Sequence, residues 1–192
     1  MKRKTTKETL AESFQEIAAV KKANKITVSD IVRNCGMSPA TFYRHFRDKY
    51  DLIAWIYEQW CEEIFHRFDG RPDRKEQIYA AWVRLCWEKK EFLKNLIENT
   101  DGYDSFILRM VEVDVRLIEN DIVFLGGRDA LTEKVHLKIY LYSAGMARLM
   151  SAWLLGRITA EPDEITEVLL EMIPVSVAPL ITPRYTSSEH KM

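Results

Sequence analysis

Between Thr27 and Lys49 the chain concentrates side chains suited to holding phosphate: Thr27, Ser29, Thr41, Tyr43, Arg44, His45 and Lys49. Hydroxyl and cationic groups of this kind donate to phosphate oxygens and fix a protein on a nucleic-acid backbone without reading sequence. Ser38, Pro39 and Ala40 are small enough to let the main chain approach base edges, and Ala40 can touch a thymine methyl; Tyr43 reaches the same edges. Groups for bond-breaking chemistry are thin. There is no G-x-S-x-G, G-x-x-x-x-G-K-[ST], G-x-G-x-x-G or H-E-x-x-H. His45, His66, His136 and His190 are scattered, and no two stand four apart on a metal-binding helix face. Glu62 and Glu63 are adjacent and so point apart on a helix. Cys35, Cys61 and Cys86, 26 and 25 residues apart, form no C-x-x-C pair and read as reduced thiols. No enzyme, no cofactor and no metal are expected.

The phosphate-binding cluster needs helices to position it, and the local signals supply them. Thr5 with Glu8 is a capping box opening a helix over about 6–22, with Leu10, Phe14, Ile17 and Ala18 inward. Thr27 with Asp30 is a second, opening a short helix over about 28–34 that Gly36 ends. Ser38 caps a third helix, about 39–45, with Pro39 in its first turn and Phe42 and Phe46 on its core side. Helix, glycine turn, helix is the helix-turn-helix arrangement, whose second helix enters the major groove by its N-terminal residues.

Thr27-Val28-Ser29-Asp30-Ile31-Val32, Gly36-Met37-Ser38 and Thr41-Phe42-Tyr43-Arg44-His45-Phe46-Arg47-Asp48-Lys49-Tyr50-Asp51-Leu52 closely resemble the DNA-binding domain of TetR-family transcriptional regulators. About 47 residues, 6 to 52, carry the resemblance, and Cys35 stands where the family usually has Ala. The resemblance implies that Thr27, Thr41, His45 and Lys49 hold phosphates while Pro39, Ala40 and Tyr43 approach bases. It implies a regulator, most simply a repressor, binding double-stranded operator DNA of near-palindromic sequence as a homodimer. A helical module with a basic end and no specific DNA is the alternative, and the Tyr43-Arg44-His45-Phe46 context beside Gly36 speaks against it.

Composition fits a helical regulator. Of 192 residues, 47% are hydrophobic and 30% charged, while seven Gly and six Pro are few for a turn-rich β fold. Residues 1–50 carry 11 Lys and Arg against five Asp and Glu; the other 142 carry 17 against 24. A basic small end on an acidic large one suits a polyanion partner for the first part alone. The uncharged apolar run Ile139 to Ala147 falls well short of the roughly 18 residues of a membrane span. The basic stretch Met1 to Lys7 has no apolar segment behind it, so no membrane and a cytoplasmic location are expected.

The expected fold is all-α with about nine helices: a three-helix helix-turn-helix domain at 1–50, a helical effector-binding and dimerisation domain at 51–182, and a disordered tail at 183–192. Further helices are expected at about 48–68, 73–89, 92–99, 105–124, 131–156 and 163–173. The helix of 131–156 is apolar on nearly every side and needs a second partner surface. Tyr140, Ala144, Gly145, Ala147, Leu149 and Trp153, with Ile165, Val168, Leu169 and Met172, match the four-helix dimer seam of TetR-like regulators. The pattern Tyr140 to Gly145 with Trp153-Leu154-x-Gly156 is similar to a branch that includes dihydroxyacetone-kinase operon regulators. The family also implies a small apolar or amphipathic effector in the body, with Tyr79, Trp82, Cys86, Tyr103, Phe106, Arg109, Met110, His136 and Tyr140 as lining.

Overall fold

The computed structural model describes residues 4–68, 73–102 and 105–181, and among these it contains nine α-helices and no strand. Both expected capping boxes form. The Glu8 N–H donates to Thr5 Oγ1 at 3.2 Å while Glu8 accepts from the Thr5 N–H at 2.7 Å, opening α1 (Thr6–Ala18). Thr27 and Asp30 do the same for α2 (Val28–Asn34). Gly36, at φ +68°, takes the left-handed turn, and the Met37 N–H closes back on the Val32 carbonyl at 2.8 Å. Ser38 then caps α3 (Pro39–Tyr43), whose Phe42 is fully buried.

Two of these helices are shorter than their sequence pattern suggests. The first stops at Ala18 rather than near Lys22 because the chain turns inward to bury Ala23, through a 3₁₀ turn at Ala23–Lys25. The third ends at Tyr43, its last turn tightened by a His45 N–H to Phe42 carbonyl bond of 2.9 Å.

Asp48 caps α4 (Lys49–Arg67), accepting from the Tyr50 and Asp51 N–H groups at 2.9 Å. This helix starts in the head and ends in the body: Trp55 packs edge-on against Phe46, and Tyr57 against Phe106. The body adds α5 (Arg74–Glu88), α6 (Lys90–Glu98), α7 (Phe106–Gly126), α8 (Glu133–Leu154) and α9 (Pro162–Glu171). Helix α7 pairs with α8, and α5 with α9. One continuous core runs from Leu10 to Ile181, across the boundary expected at residue 50.

Helix α8 ends at Leu154, two residues early, where Gly156 at φ +72° reverses the chain and the Arg157 N–H bonds the Ala152 carbonyl at 2.8 Å. No helix of the described residues is long and apolar enough to cross a membrane. The expected tail at 183–192 and the break at Gly70-Arg71-Pro72 lie outside the described residues.

Candidate nucleic-acid interface and body cavity

In the head, burial separates the packing residues from those free to make contacts. Phe42 and Phe46 face inward; Ser38, Pro39, Ala40, Arg44 and His45 are exposed, and Tyr43 keeps 59% of its surface. An exposed aromatic next to small residues at a helix N-terminus is poor packing and a good contact surface. Ser38 Oγ accepts from the Thr41 N–H at 3.1 Å and lies 3.0 Å from Thr41 Oγ1, and Arg44 reaches the same hydroxyl at 3.4 Å. Thr27 and Ser29 are exposed at the start of α2. The Lys21 ammonium, with the Thr27 backbone and hydroxyl, holds the Asp30 carboxyl well below its usual range, so this cap stays charged through neutral pH. The turn is pinned from behind: Ser13 donates to the Ile31 carbonyl at 2.7 Å, and Asn34 donates to Ser13.

Lys49 departs from expectation. Its ammonium donates to the carbonyls of Ala23, Asn24 and Ile26 at 2.8, 3.1 and 2.8 Å. Three donors on three carbonyls leave it no spare proton for a phosphate. The side chain is a clamp on the turn before α2. Asn95 of α6 holds the other side of that turn, donating to the Ala18 and Lys21 carbonyls at 2.8 and 2.9 Å and accepting from the Ala23 N–H at 3.0 Å. Asn95 thus ties the body to the head at this turn, a role that nothing in the local pattern around it announces.

The body holds a narrow cavity among α4, α5, α7 and α8, leaving about 50 Å³ for the centres of water-sized atoms. Tyr79 and Trp82 line it as expected, beside Phe65, Ile78, Leu117 and Met146. The other expected lining residues stand elsewhere. Cys86, Phe106 and Met110 are packed into the core. Arg109 pairs with Glu112 at 2.8 Å in a groove between head and body, alongside His45, Trp55 and Arg116. His136 pairs with Glu119, which raises its pKa, and Tyr140 points outward with half its surface exposed. Tyr103 lies outside the described residues.

The polar groups that do line the cavity were missed. Arg74 and Asp121 form a buried ion pair of 2.8 Å. Asp114, 6% exposed, accepts from the Tyr57 hydroxyl at 2.8 Å, and the Trp82 indole N–H donates to that hydroxyl at 3.0 Å. Burial pushes the Asp114 carboxyl up to about 7, partly opposed by the Tyr57 hydrogen bond. A signal existed in the sequence: Asp114 and Asp121 stand seven apart, on the same helix face as Met110, Leu117 and Ile118.

The expected dimer residues divide by burial. Ala147, Trp153, Ile165 and Leu169 are buried within their own chain and cannot form a seam. Trp153, for example, stacks on Trp87 and donates its indole N–H to the Ala160 carbonyl. Tyr140, Gly145, Val168 and Met172 are exposed, with Ala144 and Leu149 partly so. Leu137 and Leu141 complete this stripe, Leu141 at 75% and Met172 at 67% exposure. A Cβ built on Gly145 would meet open space.

Residues 21–56 match the family model of bacterial regulatory proteins of the tetR family. The chain is 28% identical over 103 residues, 54% of its own length, to the HTH-type dhaKLM operon transcriptional activator DhaS of Lactococcus lactis subsp. lactis (strain IL1403). It is 37% identical over 60 residues, 31% of its length, to the uncharacterized HTH-type transcriptional regulator YxbF of Bacillus subtilis (strain 168). These matches span 54% and 16% of the two relatives' own lengths. The fold is similar to that of the dihydroxyacetone kinase operon activator DhaS, with a TM-score of 0.58, 16% identity, and 88% of this chain and 96% of the other covered. It is likewise similar to that of the TetR family repressor AlkX from Dietzia sp. strain DQ12-45-1b, implicated in biodegradation of n-alkanes, with a TM-score of 0.54, 16% identity, and 94% and 97% covered. The chain thus carries a head, residues 21–56, that matches the tetR family model, on a body whose fold is similar to that of these solved regulators.

Proposed function

We propose that the chain binds a near-palindromic operator as a homodimer and represses transcription there, releasing DNA when a small effector enters the body cavity. The observation that carries this reading is the exposed end of α3. Ser38, Pro39, Ala40 and Tyr43 are exposed there, while Phe42 and Phe46 anchor the helix from behind. In this reading Ser38, Pro39, Ala40 and Tyr43 meet base edges, and Thr27, Ser29, Thr41, Arg44 and His45 meet phosphates. Lys49 acts at one remove, by holding the turn that presents α2.

The apolar stripe on α8 and α9 supports the dimer: Leu137, Tyr140, Leu141, Val168 and Met172 would be costly to leave in water. A two-fold axis there sets two heads on successive major grooves, about 34–36 Å apart. An effector acts by favouring one head spacing over another. Helix α4 and the Asn95 joint are mechanical links from body to head, beside the edge-on contact of Phe14 with Phe92. A coupling of about 1–3 kcal/mol would change operator affinity roughly five- to 150-fold.

Hydroxyl-radical footprinting on DNA upstream of its own gene, with light scattering of the complex, tests the proposal. Two protected patches one helical turn apart and two chains per duplex support it; a single patch with one chain contradicts it. The relative DhaS is named an activator, and this favours a second reading in which the bound dimer recruits transcription. A promoter–reporter fusion decides the sign: deleting the gene raises expression under repression and lowers it under activation.

A further inference from the structure

Neither the DNA-contacting surface nor the dimer stripe uses Asp114. It sits in the middle of α7 with 6% of its surface exposed and forms part of the cavity wall. One carboxyl oxygen accepts the Tyr57 hydroxyl; the other, Oδ2, is buried with no hydrogen-bond partner. Two turns along the same helix, Asp121 has the Arg74 guanidinium at 2.8 Å. The fold therefore supplies a cation to one buried carboxylate and leaves its neighbour incomplete. Buried acceptors are rarely left so, and an incomplete one in a cavity wall points to a missing donor.

The space beside Asp114 limits that donor. The walls around the 50 Å³ open to atom centres are mostly apolar and aromatic, with Phe65, Ile78, Trp82, Leu117 and Met146, and Lys75, paired with Glu76, also lines them. At about 10–15 Å³ per water-sized sphere, this admits roughly three to five heavy atoms without rearrangement. A hydroxyl would satisfy the free oxygen but leave a buried negative charge uncompensated; a carboxylate or phosphate would add a second one. An ammonium group both donates and neutralises, and its chain suits the apolar wall.

We infer that the cavity binds a small organic cation, a primary ammonium on a short apolar chain, whose N–H groups complete the hydrogen bonding of Asp114. This rests on the cavity being the effector site and names the class of ligand it takes. Titratable and charged neighbours line the cavity with Asp114 or pack around it from each element: Tyr57 and Cys61 on α4, Arg74, Lys75, Tyr79 and Cys86 on α5, Asp121 on α7 and Tyr142 on α8, Lys75 being paired with Glu76 at 3.4 Å. Burial pushes both thiols and all three phenols up, so they stay neutral, and Arg74 is held by Asp121. Asp114 is then the group that changes charge near neutral pH, with its carboxyl raised to about 7. An ammonium binds the ionised form, so affinity falls about tenfold between pH 8 and pH 6.

The test uses the full chain, with tryptophan fluorescence and thermal-shift titrations against n-butylammonium, n-butanol and butyrate at pH 8 and pH 6. Saturable binding of butylammonium is expected, about tenfold weaker at pH 6, with butanol at least tenfold weaker at pH 8 and butyrate silent. Asp114→Asn is expected to abolish the preference for the amine, and its own melting curve reports whether it folds. The wild-type pH dependence stands as a second test if it does not. Equal binding of butanol and butylammonium, no saturable binding, or an unchanged preference in Asp114→Asn overturns the inference. Measuring affinity for a duplex selected from a random pool, with and without each compound, separates the two claims. Butylammonium that binds without changing duplex affinity upholds the cation site and removes its effector role. A neutral compound that changes duplex affinity through this cavity upholds the effector role and overturns the cation class.

Discussion

Replacing Asp114 by Asn should make the protein more stable relative to wild type as pH rises. The Asp114 carboxyl sits at about 7 in the fold against 3.8 when unperturbed, because burial disfavours its charge. The folded state therefore holds a proton that the unfolded chain gives up at lower pH. This group's contribution to stability is fully present below pH 3.8 and is lost as pH rises through 7. Proton linkage puts that contribution at about 2.5 kcal/mol at pH 5 and near zero at pH 8. Asn cannot titrate, so its stability relative to wild type should shift in its favour by about 2.5 kcal/mol across that interval. The amide adds a buried N–H without an acceptor, costing about 1–3 kcal/mol, but a protonated carboxyl carries a similar unmet donor and the cost is the same at both pH values. The difference between pH values is thus cleaner than either stability alone. Urea unfolding of both proteins at pH 5, 6, 7 and 8 measures it, and thermal melts should show the gap widen by about 5–10 °C. Parallel pH profiles for the two proteins would refute the reasoning and mean that Asp114 stays ionised in the fold.

Leu141→Arg, at an exposed position of the proposed seam, should yield folded monomers by light scattering and weaken operator binding at least a hundredfold, since pairing would desolvate an unpaired charge; a dimer with full affinity would move the seam elsewhere. Lys49→Met should cost about 2–4 kcal/mol of stability by leaving three carbonyls without their donor, yet keep the salt slope of DNA binding. Arg44→Ala should instead lower that slope by about one with little loss of stability, and the opposite pattern would return Lys49 to the phosphate. Asn95→Leu should speed amide exchange around Ala18 to Ile26 and weaken the effect of a cavity ligand on DNA affinity; unchanged coupling would show that Asn95 does not carry it.

The head was legible in the sequence because its signals are local. The Thr5 and Thr27 capping boxes, the Gly36 turn and the Ser38-Pro39 start each act within four residues, and all form where expected. What was misread depends on distant chain. Lys49 looks like a phosphate ligand until the turn at Ala23 folds back over it, some 26 residues away. Asn95 looks like a surface residue until α1 ends beside it. In the body, helical spacing marks Trp82 and Tyr79 as inward but does not tell inward residues that face a gap from those that face neighbours, and Phe106 and Met110 prove to face neighbours. Arg109 is the charge that interrupts the apolar run Phe106 to Val111, whereas the buried carboxylates Asp114 and Asp121 sit on the apolar stripe itself. The seam shows the same limit. An all-round apolar helix announces two buried faces, but only packing against α6 and α7 separates Ala147 and Trp153 inside from Leu137 and Leu141 outside.

The central claim, that the exposed end of α3 reads DNA from a two-fold dimer, is tested most directly by selecting duplexes from a random pool with the full chain at low salt. The account predicts an enriched inverted repeat whose half-sites are centred about one helical turn, 10–10.5 base pairs, apart. The enrichment should vanish for Tyr43→Ala and for Leu141→Arg. Recovery of no common sequence, or of a single half-site equally enriched by the Leu141→Arg variant, would contradict it.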